Sequence, residues 1–224
     1  MNKKWLLAAI MAAGIGYLFA LQFDHMLFRW ILKPGTMLLI IWYAATESSS
    51  SSTYKRLILT GLMFSVTGDT LLLLKGNLWF LLGLFSFLFG HVIYIAAFLQ
   101  RRQFSWLHGL VLIPIVLYAV FFLNGLHGGI VADPAKGYES MWIPLVCYVV
   151  VISTMLWSAT ISRNKMAIIG AILFVISDTL LGWNMFVTPM PWLGKHGVMI
   201  TYYLAQFLIA SSIRNSQQKH AVNG

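Results

Sequence analysis

Two carboxylates stand in matching frames inside otherwise apolar runs. Residues 61–72 read GLMFSVTGDTLL and residues 170–181 read GAILFVISDTLL, so Asp69 and Asp178 occupy the same place in each. Gly61, Val66, Asp69, Thr70, Leu71 and Leu72 recur as Gly170, Val175, Asp178, Thr179, Leu180 and Leu181, at a constant offset of 109 residues. An aspartate at the centre of a membrane helix costs roughly 2.5–3.5 kcal/mol on insertion scales, and such residues face a cavity or a partner. The chain has only six acidic residues, so this placement of two of them asks for a reason. Two carboxyls sharing a buried site do not both ionise. One is left as a proton donor and the other as a base, a division that suits hydrolysis of an acid-labile bond. The plainer alternative is a pair of hydrogen-bonded carboxyls that only locks helices together.

Other polar groups fall at a comparable depth. Lys33-Pro34 is read as the first turn of a span, where proline is tolerated. That puts Lys33 near the outer edge, able to pair with a carboxylate, to receive a phosphate, or merely to snorkel to the interface. Tyr202, Tyr203 and Gln206 lie in the last apolar run, with Tyr202 and Gln206 one turn apart on one face. Tyrosines near an interface are common; Gln206 is harder to dismiss. His91, in FGHVIY at 89–94, lies ~20 Å from the outer end of its run, deeper than the aspartates, and as a lone histidine reads first as a packing residue. His25, His108, His127, His196 and His220 fall in loops, at span ends or in the tail, and offer no compact zinc set. No nucleophile elbow, phosphate-binding loop or dinucleotide fingerprint is present. No metal and no cofactor are expected.

The elements that must position these residues are membrane helices. The 224 residues have a mean hydropathy of +0.80, are 59% hydrophobic and only 9% charged, against roughly 25% charged in soluble domains. Eight runs are candidates to span a bilayer: 5–22, 28–45, 57–74, 78–99, 107–123, 142–161, 166–186 and 196–213. The expected fold is an all-α bundle of about eight transmembrane helices forming a single membrane domain over 1–224. The longer connections are 46–56, with a serine run, and 124–141, a turn-rich loop holding His127, Gly128 and Gly129. The aligned aspartate segments are spans three and seven. Duplication of a four-span unit would produce them, and chance similarity between apolar runs is the alternative.

The net charge of +9 comes from basic residues scattered in pairs between apolar runs, with no basic face for nucleic acid. With a cytoplasmic N-terminus, ten basic residues, Lys219 among them, fall on the inner side and five, including Lys33, Lys136 and Lys195, on the other. The excess predicts both termini in the cytoplasm. Residues 1–20 look like a signal sequence, but Leu18 fits a cleavage site poorly, and an uncleaved first span is expected. Cys147 is the sole cysteine, so no intramolecular disulfide or paired-cysteine metal site can form, and it is expected to be a packing residue.

Lys33-Pro34, FSVTGDTLL at 64–72, FGHVIY at 89–94, GAILFVISDTLL at 170–181 and TYYLAQFLI at 201–209 occur in this order across most of the chain. Together they resemble the YhhN-like family, whose animal members are lysoplasmalogenases. The resemblance implies hydrolysis of the vinyl-ether bond of a lysophospholipid in the membrane, giving a fatty aldehyde and a glycerophospho-ethanolamine or -choline. Asp69 and Asp178 would then be the proton donor and the water activator in unassigned order. Lys33 would hold the phosphate, and His91, Tyr202, Tyr203 and Gln206 would shape the pocket. The short-looped, basic architecture suggests a bacterial inner membrane. A small transporter or proton-coupled carrier would also use paired intramembrane aspartates, and a lipid-binding scaffold is a third reading. Release of aldehyde in detergent, where no gradient exists, separates a hydrolase from a carrier.

Overall fold

Long apolar runs with few helix breakers, closed by short polar turns, dictate helices, because backbone groups in lipid must be satisfied within the segment. A computed structural model describes residues 2–49, 51–134 and 137–214. Lys136, Lys219 and His220, and Ser50 of the serine run, lie outside the described residues. Eight α-helices follow in order: α1 (Lys3–Gln22), α2 (Met26–Thr46), α3 (Ser52–Leu71), α4 (Asn77–Leu99), α5 (Leu107–Ala132), α6 (Trp142–Ile161), α7 (Lys165–Phe186) and α8 (Val198–Ser211). A 3-10 turn (Glu139–Met141) leads into α6, and a π-helical turn (Leu193–Gly197) leads into α8. Side chains cap several starts. Asn2 accepts from Lys4 N, Ser51 from Tyr54 N, and Asn164 from Met166 N and Ala167 N. Gly76, at φ +115°, makes the turn between α3 and α4 that a side chain would strain.

Among the described residues, five segments are long and apolar enough to cross a membrane: α1, α4, α5, α7 and the stretch Glu139–Ile161. The burial pattern inverts that of a soluble protein. Trp5, Phe19, Leu117, Phe121 and Ile143 are exposed, while Lys33, Asp69, His91 and Gln206 are buried. A surface of large apolar side chains around a polar interior suits lipid as solvent. The chain is a multi-pass integral membrane protein. Cys147 lies on the outer surface of α6 rather than in the packing its sequence context suggests.

Helices α2, α3, α4, α6, α7 and α8 pack in sequence around the interior, with α8 closing on α2 and α3. Helix α4 packs on α6 and skips α5, which instead flanks α6 and α7 from outside; α1 flanks α2 and α8. Each glycine of the two matched segments lies beneath the next helix. A Cβ at Gly61 would meet the Tyr94 ring of α4 at 2.3 Å, and one at Gly170 would meet the Ala205 carbonyl of α8 at 3.0 Å.

Three boundaries differ from the sequence reading, the simplest being that of α3, which starts at Ser52 rather than at 57. Helix α2 starts at Met26, so Pro34 lies inside it rather than in its first turn. Membrane helices tolerate this because neighbouring groups re-satisfy the freed carbonyl. Helix α5 runs to Ala132, through His127, Gly128 and Gly129, where a loop was expected. Gly129 serves contact rather than turning. A Cβ at Gly129 would meet the Phe186 carbonyl oxygen at 1.9 Å, while one at Gly128 would meet nothing within 4 Å. Gly129→Ala is therefore expected to push α5 off the end of α7, destabilising by about 1–3 kcal/mol as overpacking does. Gly128→Ala is expected to hold or raise stability. Thermal unfolding of both variants in detergent checks the contrast, and equal melting temperatures would contradict it.

Candidate active site

The cavity lies toward one end of the bundle. Its walls come from the C-terminal parts of α1, α3, α5 and α7 and the N-terminal parts of α2, α4, α6 and α8, together with the turn before α8. It measures about 210 Å3 and is lined by both Asp69 and Asp178. The sequence sets their depth but not their rotation; the packing turns both inward. Lys33 and Tyr202 also line it.

Each carboxylate has its own set of partners. Asp69, only 2% exposed, has its Oδ1 3.1 Å from Lys33 Nζ. Lys33 also donates to the Asp69 backbone carbonyl at 3.3 Å, and the Tyr202 hydroxyl donates to Asp69 Oδ2 at 2.6 Å. A buried ammonium beside a buried carboxylate is neutral as a pair, which is the condition under which either is tolerated in so apolar a setting. Lys33 is thus committed to Asp69, deep in the bundle, and not to the outer edge that a first-turn proline suggested.

Asp178 has no such fixed cation among the described residues. Its Oδ2 accepts from the Tyr148 hydroxyl of α6. His91 Nε2 lies 2.9 Å from the same hydroxyl oxygen and 3.6 Å from Asp178 Oδ2. With the phenolic O–H directed at the carboxylate, the Tyr148 oxygen accepts from His91 Nε2–H, and Asp178, Tyr148 and His91 form a connected proton path. Tyr148 spans the difference in depth that separated His91 from the aspartates in the sequence. The Asp178 side chain is 15% exposed against 2% for Asp69, so it is the more open of the two to the cavity. Phe174 separates the sets, with its ring 4.7 Å from His91 and 5.5 Å from Tyr202 between centroids.

His91, Tyr203 and Gln206 stand behind the cavity wall. His91 acts only through Tyr148, as above. Tyr203 is buried edge-on against Tyr17, with centroids 6.0 Å apart. Gln206 Oε1 accepts from the Tyr94 hydroxyl at 2.8 Å. Sequence reasoning missed Tyr148, Arg29 and Lys195, all of which face the cavity. Tyr148 was discoverable as a phenol seven residues inside a run, too deep for an interfacial belt; Arg29 and Lys195 look like ordinary flanking charges. Phe80, Leu84, Phe122, Leu126 and Phe186 give the cavity a largely apolar lining. A second, apolar cavity of about 400 Å3 between α5, α6 and α7 shares Tyr118 with it. The Tyr118 hydroxyl is 2.5 Å from Thr179 Oγ1. Among the described residues, no group of three or more His, Cys, Asp or Glu is placed to hold a metal ion.

The family model of the YhhN family matches residues 28–213, which takes in every residue of both carboxylate sets. The chain belongs to the YhhN family. The chain is similar to mouse lysoplasmalogenase TMEM86B, 30% identical over 219 residues that cover 95% of this chain and 88% of the mouse protein. Human lysoplasmalogenase TMEM86B is 31% identical over 171 residues, 75% of this chain and 68% of that protein. A lysoplasmalogenase of Mycobacterium bovis is 27% identical over 193 residues, 81% and 70% of the two chains. No solved structure gives a significant match.

Proposed function

We propose that this YhhN-family chain is a membrane hydrolase that cleaves the vinyl-ether bond of a lysoplasmalogen. The observation that carries the reading is the cavity with two differently partnered aspartates in a chain whose relatives bear that enzyme's name. Vinyl ethers hydrolyse by protonation at the β-carbon. This creates an oxocarbenium at the carbon bonded to oxygen, and water captures it as a hemiacetal. Collapse of the hemiacetal gives a fatty aldehyde and the free glycerol hydroxyl.

The partners argue for an order of roles. Asp178, linked to the titratable Tyr148 and His91, donates its proton to the β-carbon. Asp69, held as carboxylate by Lys33 and Tyr202, stabilises the developing cation and takes a proton from the attacking water. On collapse Asp69 returns that proton to the departing glycerol oxygen, and Asp178 takes the hemiacetal hydroxyl proton. One water is consumed and both aspartates end as they began. Release of aldehyde from lysoplasmalogen by the purified chain in detergent tests the reading; no release at any pH would reject it. In this scheme Tyr148→Phe breaks the path to His91 while keeping the ring. It is expected to lower kcat by about 10–100-fold, at the lower end of what a proton-transfer partner contributes. A Tyr148→Phe enzyme with unaltered kcat and pH profile would remove Tyr148 from the scheme.

A carrier is the less favoured reading, because nothing in the named relatives points to transport. The architecture that accompanies the hydrolase is a single membrane domain over 1–224 with eight spans and both termini in the cytoplasm, in a bacterial inner membrane. The ten-to-five division of basic residues supports that orientation. It puts the cavity in the outer half of the bilayer. The matched segments and the like placement of Gly61 and Gly170 support a four-plus-four duplication.

A further inference from the structure

With Lys33 engaged by Asp69, the phosphate of a lysophospholipid needs another cationic partner. We propose that Arg29 and Lys195 form the phosphate subsite of this cavity, taking the phosphodiester of the substrate's head group. The proposal rests on the lysoplasmalogen reading above and names the feature of the substrate that the cavity mouth selects.

Arg29 and Lys195 both line the cavity, from α2 and from the turn before α8. Arg29 is four residues before Lys33, so the two share a face of α2, with Arg29 one turn nearer the mouth. The exposures grade accordingly: the Arg29 side chain is 27% exposed and that of Lys33 is 8%. Arg29 uses Nη1 for the exposed Asp24, at 2.9 Å. Its Nε is buried and has no hydrogen-bond partner among the described residues. A buried guanidinium N–H without an acceptor is costly, and an anion entering the cavity would supply one. The Asp24 pair is exposed on its acidic side and contributes little, so the guanidinium can turn to a ligand. Lys195, exposed at the mouth, has no ion pair among the described residues.

The spacing fits the substrate. Four residues of helix rise ~6 Å. Six single bonds separate the vinyl-ether carbon from phosphorus through the glycerol, a reach of about 7 Å at backbone-like bond lengths. A phosphate at Arg29 therefore sets the vinyl ether at the level of Lys33 and Asp69, with the alkenyl chain against the apolar side chains that line the cavity. Arg offers a planar fork and Lys a point charge, a pairing suited to the two free oxygens of a phosphodiester.

The test compares two substrates with the purified full chain in detergent: a 1-alkenyl-glycerophosphoethanolamine, and the 1-alkenylglycerol that lacks phosphate. In Arg29→Gln and Lys195→Gln, the preference in kcat/KM for the phospholipid over the alkenylglycerol is expected to fall about tenfold or more, as loss of a charge-assisted hydrogen bond implies. Asp24→Asn removes the surface pair but keeps the guanidinium, so it should retain the preference. An unchanged preference in both Gln variants overturns the proposal. So does an equal loss toward both substrates. A binding arm stands apart from turnover. Glycerophosphoethanolamine is expected to raise the melting temperature of the wild type and not of the Arg29→Gln/Lys195→Gln double variant. Protection of both proteins, or of neither, overturns the subsite even if no aldehyde is ever released. Protection by inorganic phosphate but not by glycerophosphoethanolamine overturns its assignment to a lipid head group.

Discussion

Asp178→Asn is expected to lower aldehyde release from lysoplasmalogen by about 10³-fold, within the range that a positioned general acid supplies. The substitution is close to isosteric. The amide oxygen still accepts from Tyr148, and His91 still meets the Tyr148 oxygen. Among the described residues no fixed cation stands beside Asp178, so neutralising it strands no charge, and the variant should fold and keep its melting temperature. What it loses is a transferable proton facing the vinyl ether. Since protonation at carbon is the difficult step, kcat should fall and KM change little. Asp178→Asn that keeps more than a tenth of wild-type turnover would show that the proton comes from elsewhere.

Lys33→Met carries the largest expected effect on stability. It leaves Asp69, 2% exposed, without the ammonium that neutralises it. Removing one partner of a buried pair is destabilising by about 3–5 kcal/mol, whereas replacing both with neutral groups is often tolerated. The double variant Lys33→Met/Asp69→Asn is accordingly expected to recover most of the stability lost by Lys33→Met alone. It should nevertheless remain inactive, because it lacks the carboxylate that activates water. Denaturant or thermal unfolding of the four proteins in this cycle yields the coupling between the two residues. A double variant no more stable than Lys33→Met would mean that the 3.1 Å contact contributes little. The same double variant, rather than Asp69→Asn alone, is the sound test of Asp69 in catalysis, because Asp69→Asn strands Lys33 inside the bundle.

The sequence already marks the two aspartates. An acid within an apolar run is a sharp signal because lipid penalises it, and two in one frame sharpen it further. Composition alone required a helical membrane bundle, and the observed helices follow the eight expected runs apart from α2 and α3, which start early, and α5, which runs past its loop. The exceptions at α2 and α5 share a cause. Pro34 and Gly128-Gly129 are breakers in water, where a broken helix can be solvated. In lipid the helix continues, and Gly129 instead lets α5 approach Phe186.

What the sequence by itself determined was residue type and, Lys33 excepted, place along the helix axis: two carboxyls, a lysine, a histidine and a tyrosine-glutamine pair in a membrane helix bundle. Helical rise fixes distance along an axis from residue count alone, so depth is readable. Rotation and partnership were decided only by packing. They turned Lys33 onto Asp69, inserted Tyr148 between His91 and Asp178, and set Gln206 against Tyr94 behind the cavity wall. They also brought Arg29 and Lys195, two ordinary flanking charges in the sequence, to the mouth of one cavity. These contacts join helices far apart in the chain, and which faces meet depends on how every helix fits its neighbours at once, a condition that no local spacing records.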